Sequence, residues 1–271
     1  REGEKINAIR NIWMKDGTII IKSPLRELED INNLPIPDFS FFEEIRFCRP
    51  MQGIIRRMAP IEFMRGCPYN CSYCAAPSLR EHYKHIGKYL RIKDIGKFID
   101  EATKIRDTYN INYFWIEAET FLAMPKDKFK KLIKIYKNEV QIPFFISTRP
   151  ETVTDESIEG LIEMGCDRVT VGIETGNEEY RKKMLFRNVS NKQIIKAFEI
   201  INKYKLPVST DVIIGFPDET REMIFDSINL IREINCDSIS VFLFSPYKGT
   251  YLREYCEKKG YFNPNDYAKD Y

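Results

Sequence analysis

From Pro60 onward, short apolar runs alternate with amphipathic stretches, and this alternation constrains the fold more than any other feature of the chain. The apolar runs at 61–64, 113–116, 144–147, 168–173, 209–214 and 238–244 have the length and composition of buried strands. Between them lie five helical patterns. In the first, Ile95, Phe98, Ile99, Ala102 and Ile105 share one stripe; in the fourth, Ile194, Phe198 and Ile201 do so, and in the fifth Ile224, Ile228 and Ile231. Pro125 suits the first turn of a helix, while Thr154 and Ser190 carry oxygens able to cap free N–H groups. Such alternation is the pattern of a parallel sheet with helical crossovers, either an open doubly wound sheet or a full or partial barrel. In both, ligands sit at the C-terminal strand ends. Chemistry is therefore expected at Arg65-Gly66-Cys67, Glu117-Ala118-Glu119, Thr148-Arg149, Glu174-Thr175-Gly176, Gly215-Phe216-Pro217 and Ser245-Pro246-Tyr247.

The first 58 residues read differently. Runs at 12–15 and 18–22 flank Asp16-Gly17, a hairpin turn signal, and Leu34-Pro35-Ile36-Pro37-Asp38 favours an extended connector. The expected organisation is a hairpin and linker over 1–58 and one barrel domain over 59–271. The chain opens on Arg1 rather than Met and is expected to be a piece of a longer enzyme. Lys and Arg number 42 against 40 Asp and Glu, too balanced for charge to point to nucleic acid or a membrane surface. The basic stretches Lys128-Phe129-Lys130-Lys131 and Arg181-Lys182-Lys183 read as solvated faces rather than nucleic-acid sites. No run approaches the ~18 apolar residues of a membrane span. Seven cysteines, an odd count with no secretory signal at the N-terminus, argue against a disulfide framework and for a reducing cytoplasm.

Spacing divides those cysteines. Cys67, Cys71 and Cys74 form C-x3-C-x2-C in a loop carrying Gly66 and Pro68, directly after the first strand, while Cys48, Cys166, Cys236 and Cys256 are scattered. Neither helix nor strand periodicity explains the three. Three thiolates on one short loop can converge on one metal centre, and two centres fit. Structural zinc needs a fourth ligand, for which His82, His85 or Cys48 are the candidates. A cubane iron–sulfur cluster is normally held by four thiolates. Held by three, it keeps one iron open to a small molecule.

C-x3-C-x2-C with an aromatic residue, Tyr73, before the third cysteine resembles the radical S-adenosylmethionine (SAM) superfamily, as does its place after the first strand of a six-fold βα array. The resemblance spans roughly residues 59–251. It implies a TIM-like partial (β/α)6 barrel with parallel strands and a [4Fe-4S] cluster on Cys67, Cys71 and Cys74 whose fourth iron binds SAM. Reduction by a donor such as flavodoxin or ferredoxin then cleaves SAM to methionine and a 5′-deoxyadenosyl radical. By position in the family, Tyr73 lies near the SAM adenine, Glu117 or Glu119 near its amino group, and Glu174 near the ribose or methionine end. Gly215 matches the fifth-strand element that approaches adenine, and Arg149 and Arg187 each offer a fork for the SAM carboxylate. The acidic motif departs from the family's Gly-Gly-Glu, being Glu-Ala-Glu here, and leaves the choice between Glu117 and Glu119 open.

Four segments resemble the cobalamin-binding-type branch, many of whose members methylate unactivated centres while others form rings: Leu34-Pro35-Ile36-Pro37-Asp38, Arg65-Gly66-Cys67-Pro68-Tyr69, Gly172-Ile173-Glu174-Thr175-Gly176 and Ile214-Gly215-Phe216-Pro217-Asp218-Glu219-Thr220. The branch's Asp-x-His-x-x-Gly cobalamin signature is absent from the chain. Two readings remain, cobalamin carried by a domain upstream of Arg1, or a cobalamin-free enzyme such as a methylthiotransferase-like protein. From another class, the competing reading is a zinc-stabilised binding protein.

Overall fold

The computed structural model describes residues 9–261. In chain order its elements begin with the hairpin β1 (Trp13–Asp16) and β2 (Ile19–Lys22), then β3 (Cys48–Met51), β4 (Ile54–Glu62), β5 (Met64–Arg65), α1 (Ala75–Tyr83) and β6 (Arg91–Ile92). The repeating part follows: α2 (Ile95–Tyr109), β7 (Tyr113–Glu117), α3 (Lys126–Glu139), β8 (Phe144–Thr148), α4 (Asp155–Met164) and β9 (Cys166–Glu174). It continues through α5 (Glu178–Lys183), α6 (Asn191–Lys203), β10 (Val208–Ile214), α7 (Arg221–Glu233), β11 (Ser238–Leu243) and α8 (Tyr251–Lys259). The principal sheet has the order β11-β10-β9-β8-β7-β4-β3. Strands β4 to β11 within it run parallel and β3 lies antiparallel at one edge. This is a curled, mostly parallel half-barrel, with all six expected parallel strands present.

Apolar stripes decide which side of the sheet the helices cover. Phe98, Ala102 and Ile105 of α2, Leu132 and Tyr136 of α3, Ile158 and Leu161 of α4, and Ile194, Phe198 and Ile201 of α6 are buried with Phe114, Ile116, Phe144, Ile146, Val169, Val171 and Ile173 of the strands. Strand residues alternate sides, so the intervening positions face the concave surface, where Trp115 stacks on Phe145 at 5.5 Å and Thr170 Oγ1 lies 2.8 Å from Ser209 Oγ. Helix starts follow the expected caps. Thr154 and Ser190 each close a capping box, and Pro125 stands just before α3.

Three local expectations differ from the structure. The two-residue hairpin loop is Gly17-Thr18 rather than Asp16-Gly17; only Gly17 takes a positive φ, +57°, which suits a turn with glycine at its first central position. Residues 48–51, read as linker, form β3, and β4 begins at Ile54 rather than at 61. Pro50 disguises β3, yet an edge strand accommodates proline because one side of it needs no N–H donor. On α7 the buried positions are Ser227 and Leu230 while Ile228 is exposed. The helix is turned by Gly176, where a Cβ would fall onto the backbone of Asp226 and Ser227.

One buried ion pair anchors the segment flanking the cysteine loop. Lys93 follows β6, bonds through its N–H to Phe63 O at 2.9 Å, and places Nζ 2.9 and 2.7 Å from the two carboxylate oxygens of Glu101 on α2. Both residues are nearly inaccessible, at 3% and 1% exposure. Lys93→Met strands the Glu101 carboxylate and is expected to lower unfolding free energy by about 3–5 kcal/mol in urea titration, whereas the double change Lys93→Met, Glu101→Leu should recover most of the loss.

Candidate functional site

The cysteine loop is fastened from several directions. Gly66 adopts φ +96°, and a Cβ there would lie 2.7 Å from Tyr89 O, so only glycine fits. Its N–H donates to both oxygens of Glu119 at 2.9 and 3.0 Å. From α1, Arg80 donates to the carbonyls of Cys67 and Tyr69 at 2.9 and 3.3 Å and to the Asn70 side chain. Ser72 is tied across the barrel: its N–H donates to Leu185 O at 3.1 Å, its hydroxyl to Met184 O at 2.5 Å, and its carbonyl accepts from Leu252 N at 3.1 Å. Cys74 caps α1, its Sγ accepting from Ala76 N at 3.4 Å.

Cys67 and Cys71 are buried and Cys74 is half-buried. Their sulfurs face separate local partners: Cys67 Sγ lies 3.8 Å from Thr120 Oγ1, and Cys71 Sγ accepts from Arg149 Nη1 at 2.9 Å. Among the described residues, no three His, Cys, Asp or Glu side chains are gathered as a ready-made metal site. The loop nonetheless keeps the thiols within electrostatic reach of one another. Burial pushes the Cys74 thiol up, and Cys71 and Cys67 add to the shift against the opposing Ala76 N–H. A cavity of about 550 Å³ opens beside the loop, lined by Cys71, Cys74, His82, Phe186 and Tyr251 among others. His82 borders it.

The acids and arginines singled out from sequence divide into two groups. Glu119 grips the cysteine loop through Gly66, whereas Glu117, half-buried at the end of β7, is raised by burial and then by the nearby carboxylates of Glu119 and Glu62. Arg149 extends from the end of β8 with its guanidinium 3.8 Å from the Tyr69 ring and its Nε and Nη2 on Glu151, at 3.2 and 2.5 Å. Arg187, exposed by only 2%, pairs with Glu174 and donates to Gly172 O at 2.7 Å and to Tyr73 OH at 3.2 Å. Its Nε has no hydrogen-bond partner among the described residues. Both arginines expected to meet a ligand carboxylate therefore already hold a protein carboxylate.

Glu174 ends β9 at φ +65°, a left-handed conformation unusual for a residue with a side chain. That turn directs its carboxylate back over Gly172, where a Cβ would lie 2.6 Å from Oε1. The Tyr73 ring meets Phe216 edge-on at 5.9 Å, and burial holds its hydroxyl well above the usual phenol range, with Glu174 adding to the shift. Gly215 has φ +80°, donates its N–H to Glu219 at 2.6 Å and leaves open space where a Cβ would stand. Sequence reasoning missed Arg80, Thr120, Glu151 and Arg181. The last, fully buried, donates to the carbonyls of Thr175 and Val189 at 2.5 and 3.0 Å. Its place in the basic run Arg181-Lys182-Lys183 hid it, since only the amphipathic position on α5 separates it from two lysines.

A half-barrel of parallel strands with a three-thiol loop at their C-terminal ends defines the class. Residues 61–231 match the Radical SAM superfamily, and the chain belongs to it. An uncharacterised methyltransferase of Pyrococcus horikoshii is 26% identical over 255 residues, covering 94% of this chain and 53% of the relative. A tRNA-2-methylthio-N(6)-dimethylallyladenosine synthase of Clostridium botulinum is 26% identical over 252 residues, covering 90% and 51%. The chain thus spans about half the length of these relatives. Among solved structures, the radical SAM methyltransferase TsrM of Kitasatospora setae, with cobalamin and a [4Fe-4S] cluster bound, superposes with TM-score 0.63 at 15% identity, over 74% of this chain and 39% of that one. The cobalamin-dependent radical SAM enzyme OxsB, with SAM bound, gives 0.63 at 16% identity over 95% and 36%.

The buried pair yields a direct test of the site's architecture. Glu174→Gln removes the countercharge of a guanidinium sealed from water and is expected to cost about 3–5 kcal/mol in urea-monitored unfolding. Glu119→Gln, which keeps an oxygen for the Gly66 N–H at an exposed position, is expected to cost about 1 kcal/mol or less.

Proposed function

We propose that Cys67, Cys71 and Cys74 hold a [4Fe-4S] cluster with one open iron and that the enzyme to which this chain belongs cleaves SAM reductively, as the first step of methyl transfer or ring formation of the cobalamin-binding type. One observation carries the reading: three thiols share a loop fastened at the C-terminal end of the parallel sheet, while Cys166 lies at the opposite end of β9 and Cys256 on α8. Soft thiolate donors, three rather than four, fit a cluster with a vacant iron better than a closed zinc tetrahedron. A cluster held there would supply one electron to the sulfonium of SAM, the S–C5′ bond breaking to give methionine and a 5′-deoxyadenosyl radical.

The chain's own residues bind, orient and exclude water. Gly66 and Glu119 set the entry of the cysteine loop, and Arg80 and Ser72 hold its middle. Tyr73 and the open space above Gly215 form the candidate adenine seat, with Phe216 packing behind Tyr73. Arg187, its Nε free of partners among the described residues, and Glu174 provide a polar wall for the ribose and methionine end. Glu117 is a candidate acceptor for the amino group, and Arg149 an electrostatic neighbour of the cluster rather than an open carboxylate fork.

Cobalamin, held by a domain outside this chain, is supported by the likeness to TsrM and OxsB and by the Pyrococcus relative's description as a methyltransferase. A methylthiotransferase-like activity is the second reading, favoured by the Clostridium relative. We place the enzyme in a reducing cytoplasm with a flavodoxin- or ferredoxin-type donor, on its odd count of seven cysteines and its family.

Purification without oxygen and reconstitution with iron and sulfide should give cluster absorption, and dithionite with SAM should give 5′-deoxyadenosine. Replacing Cys67, Cys71 or Cys74 by Ala should abolish both, whereas Cys166→Ala should leave both near the unaltered level. Stoichiometric zinc without cluster or SAM cleavage would contradict the proposal.

A further inference from the structure

We propose that Arg149 raises the reduction potential of the cluster by donating a fixed, charge-assisted hydrogen bond to the sulfur of Cys71. The inference rests on the reading of Cys71 as a cluster ligand. Arg149 Nη1 lies 2.9 Å from Cys71 Sγ, the only one of the three sulfurs with a charged donor among the described residues' hydrogen bonds.

Three contacts aim that donor. Nε and Nη2 are both occupied by Glu151, the guanidinium carbon lies 3.8 Å from the centre of the Tyr69 ring, and the residue is only 7% exposed. The carboxylate-binding edge of the fork is thus filled from within the chain, and the remaining Nη1 edge points at sulfur. An arginine meant chiefly for a ligand carboxylate would keep the opposite edge available, because bidentate recognition uses two parallel N–H groups. Glu151 follows Arg149 by two residues at the end of β8, so the short turn after that strand builds both the donor and its clamp.

The direction of the effect follows from charge. Reduction adds one electron to the cluster, taken from a low-potential reductant, and no bond breaks and no proton moves. A cationic N–H directed at a ligand sulfur stabilises the more negative state and raises the potential, since hydrogen bonds to the sulfurs and local charge are among the levers that set it. Burial strengthens the contact by excluding competing water. The neighbouring Arg187 faces Glu174 and Tyr73 instead and makes no bond to the cysteine loop's sulfurs.

The test is an anaerobic redox titration of the reconstituted chain with dithionite in the absence of SAM, after iron and sulfide analysis and a thermal melt of each variant. Arg149→Gln should lower the midpoint, so that the ratio of reduced to oxidised cluster at a fixed poise falls about tenfold, equivalent to about 59 mV for one electron. Arg149→Lys keeps the charge but loses the clamped fork and should give a smaller shift of the same sign. An unaltered protein that takes up no iron and sulfide overturns the cluster reading and this inference with it. A loaded protein whose two variants share its midpoint, or whose folded variants both fail to take up a cluster, overturns the role of Arg149 alone.

Discussion

The guanidinium of Arg187 is the charge on which the site's arrangement depends. It is sealed from water, and an isolated buried ion is tolerated only when paired and hydrogen-bonded. Its partners come from two parts of the chain: Glu174 and Gly172 at the end of β9, and Tyr73 in the cysteine loop. To reach it, Glu174 adopts a left-handed backbone that costs roughly 1–3 kcal/mol. A side chain at Gly172 would push the Glu174 carboxylate out of this position, because the carboxylate returns over it. The cysteine loop is thereby tied to the middle of the half-barrel rather than to its own strand alone.

A second consequence concerns how the arginines are used. Arg149, Arg181 and Arg187 are all buried at the strand ends, yet each is held from within the protein: Arg149 by Glu151, Arg187 by Glu174, and Arg181 by backbone carbonyls and Asn191. Such pairing offsets desolvation and fixes rotamers of a long side chain that would otherwise lose considerable freedom on ordering. Two of these guanidiniums are thereby held in fixed orientation, Arg149 toward Cys71 Sγ and Arg187 toward Tyr73 OH.

Much of this is legible in the amino-acid sequence. The short apolar runs, rich in β-branched and aromatic residues, located the parallel strands, although Trp115 of β7 and Val241, Phe242 and Leu243 of β11 are exposed rather than buried. The spacing of Cys67, Cys71 and Cys74 stood out because no packing period explains it. Strand β3 was not legible, since Cys48-Arg49-Pro50-Met51 has neither alternation nor β-branched residues and is a strand only because β4 pairs with it. The stripe on α7 misled because Gly176, 51 residues from Ser227, sets which face of that helix is buried. The pairing of Arg187 with Tyr73 spans 114 positions and of Arg149 with Cys71 spans 78. Position after β8 marked Arg149 as a functional candidate and the family resemblance marked Arg187, but only the folded sheet brings Cys71 to the one and Tyr73 to the other.

Whether three thiols hold a cluster whose remaining iron is open to SAM is tested most directly by electron paramagnetic resonance of the reduced, reconstituted chain with and without SAM. The expected result is a [4Fe-4S] signal whose shape changes when SAM is added, as ligation of the open iron requires. A signal indifferent to SAM at saturating concentration, or a protein holding zinc and no iron, would contradict it.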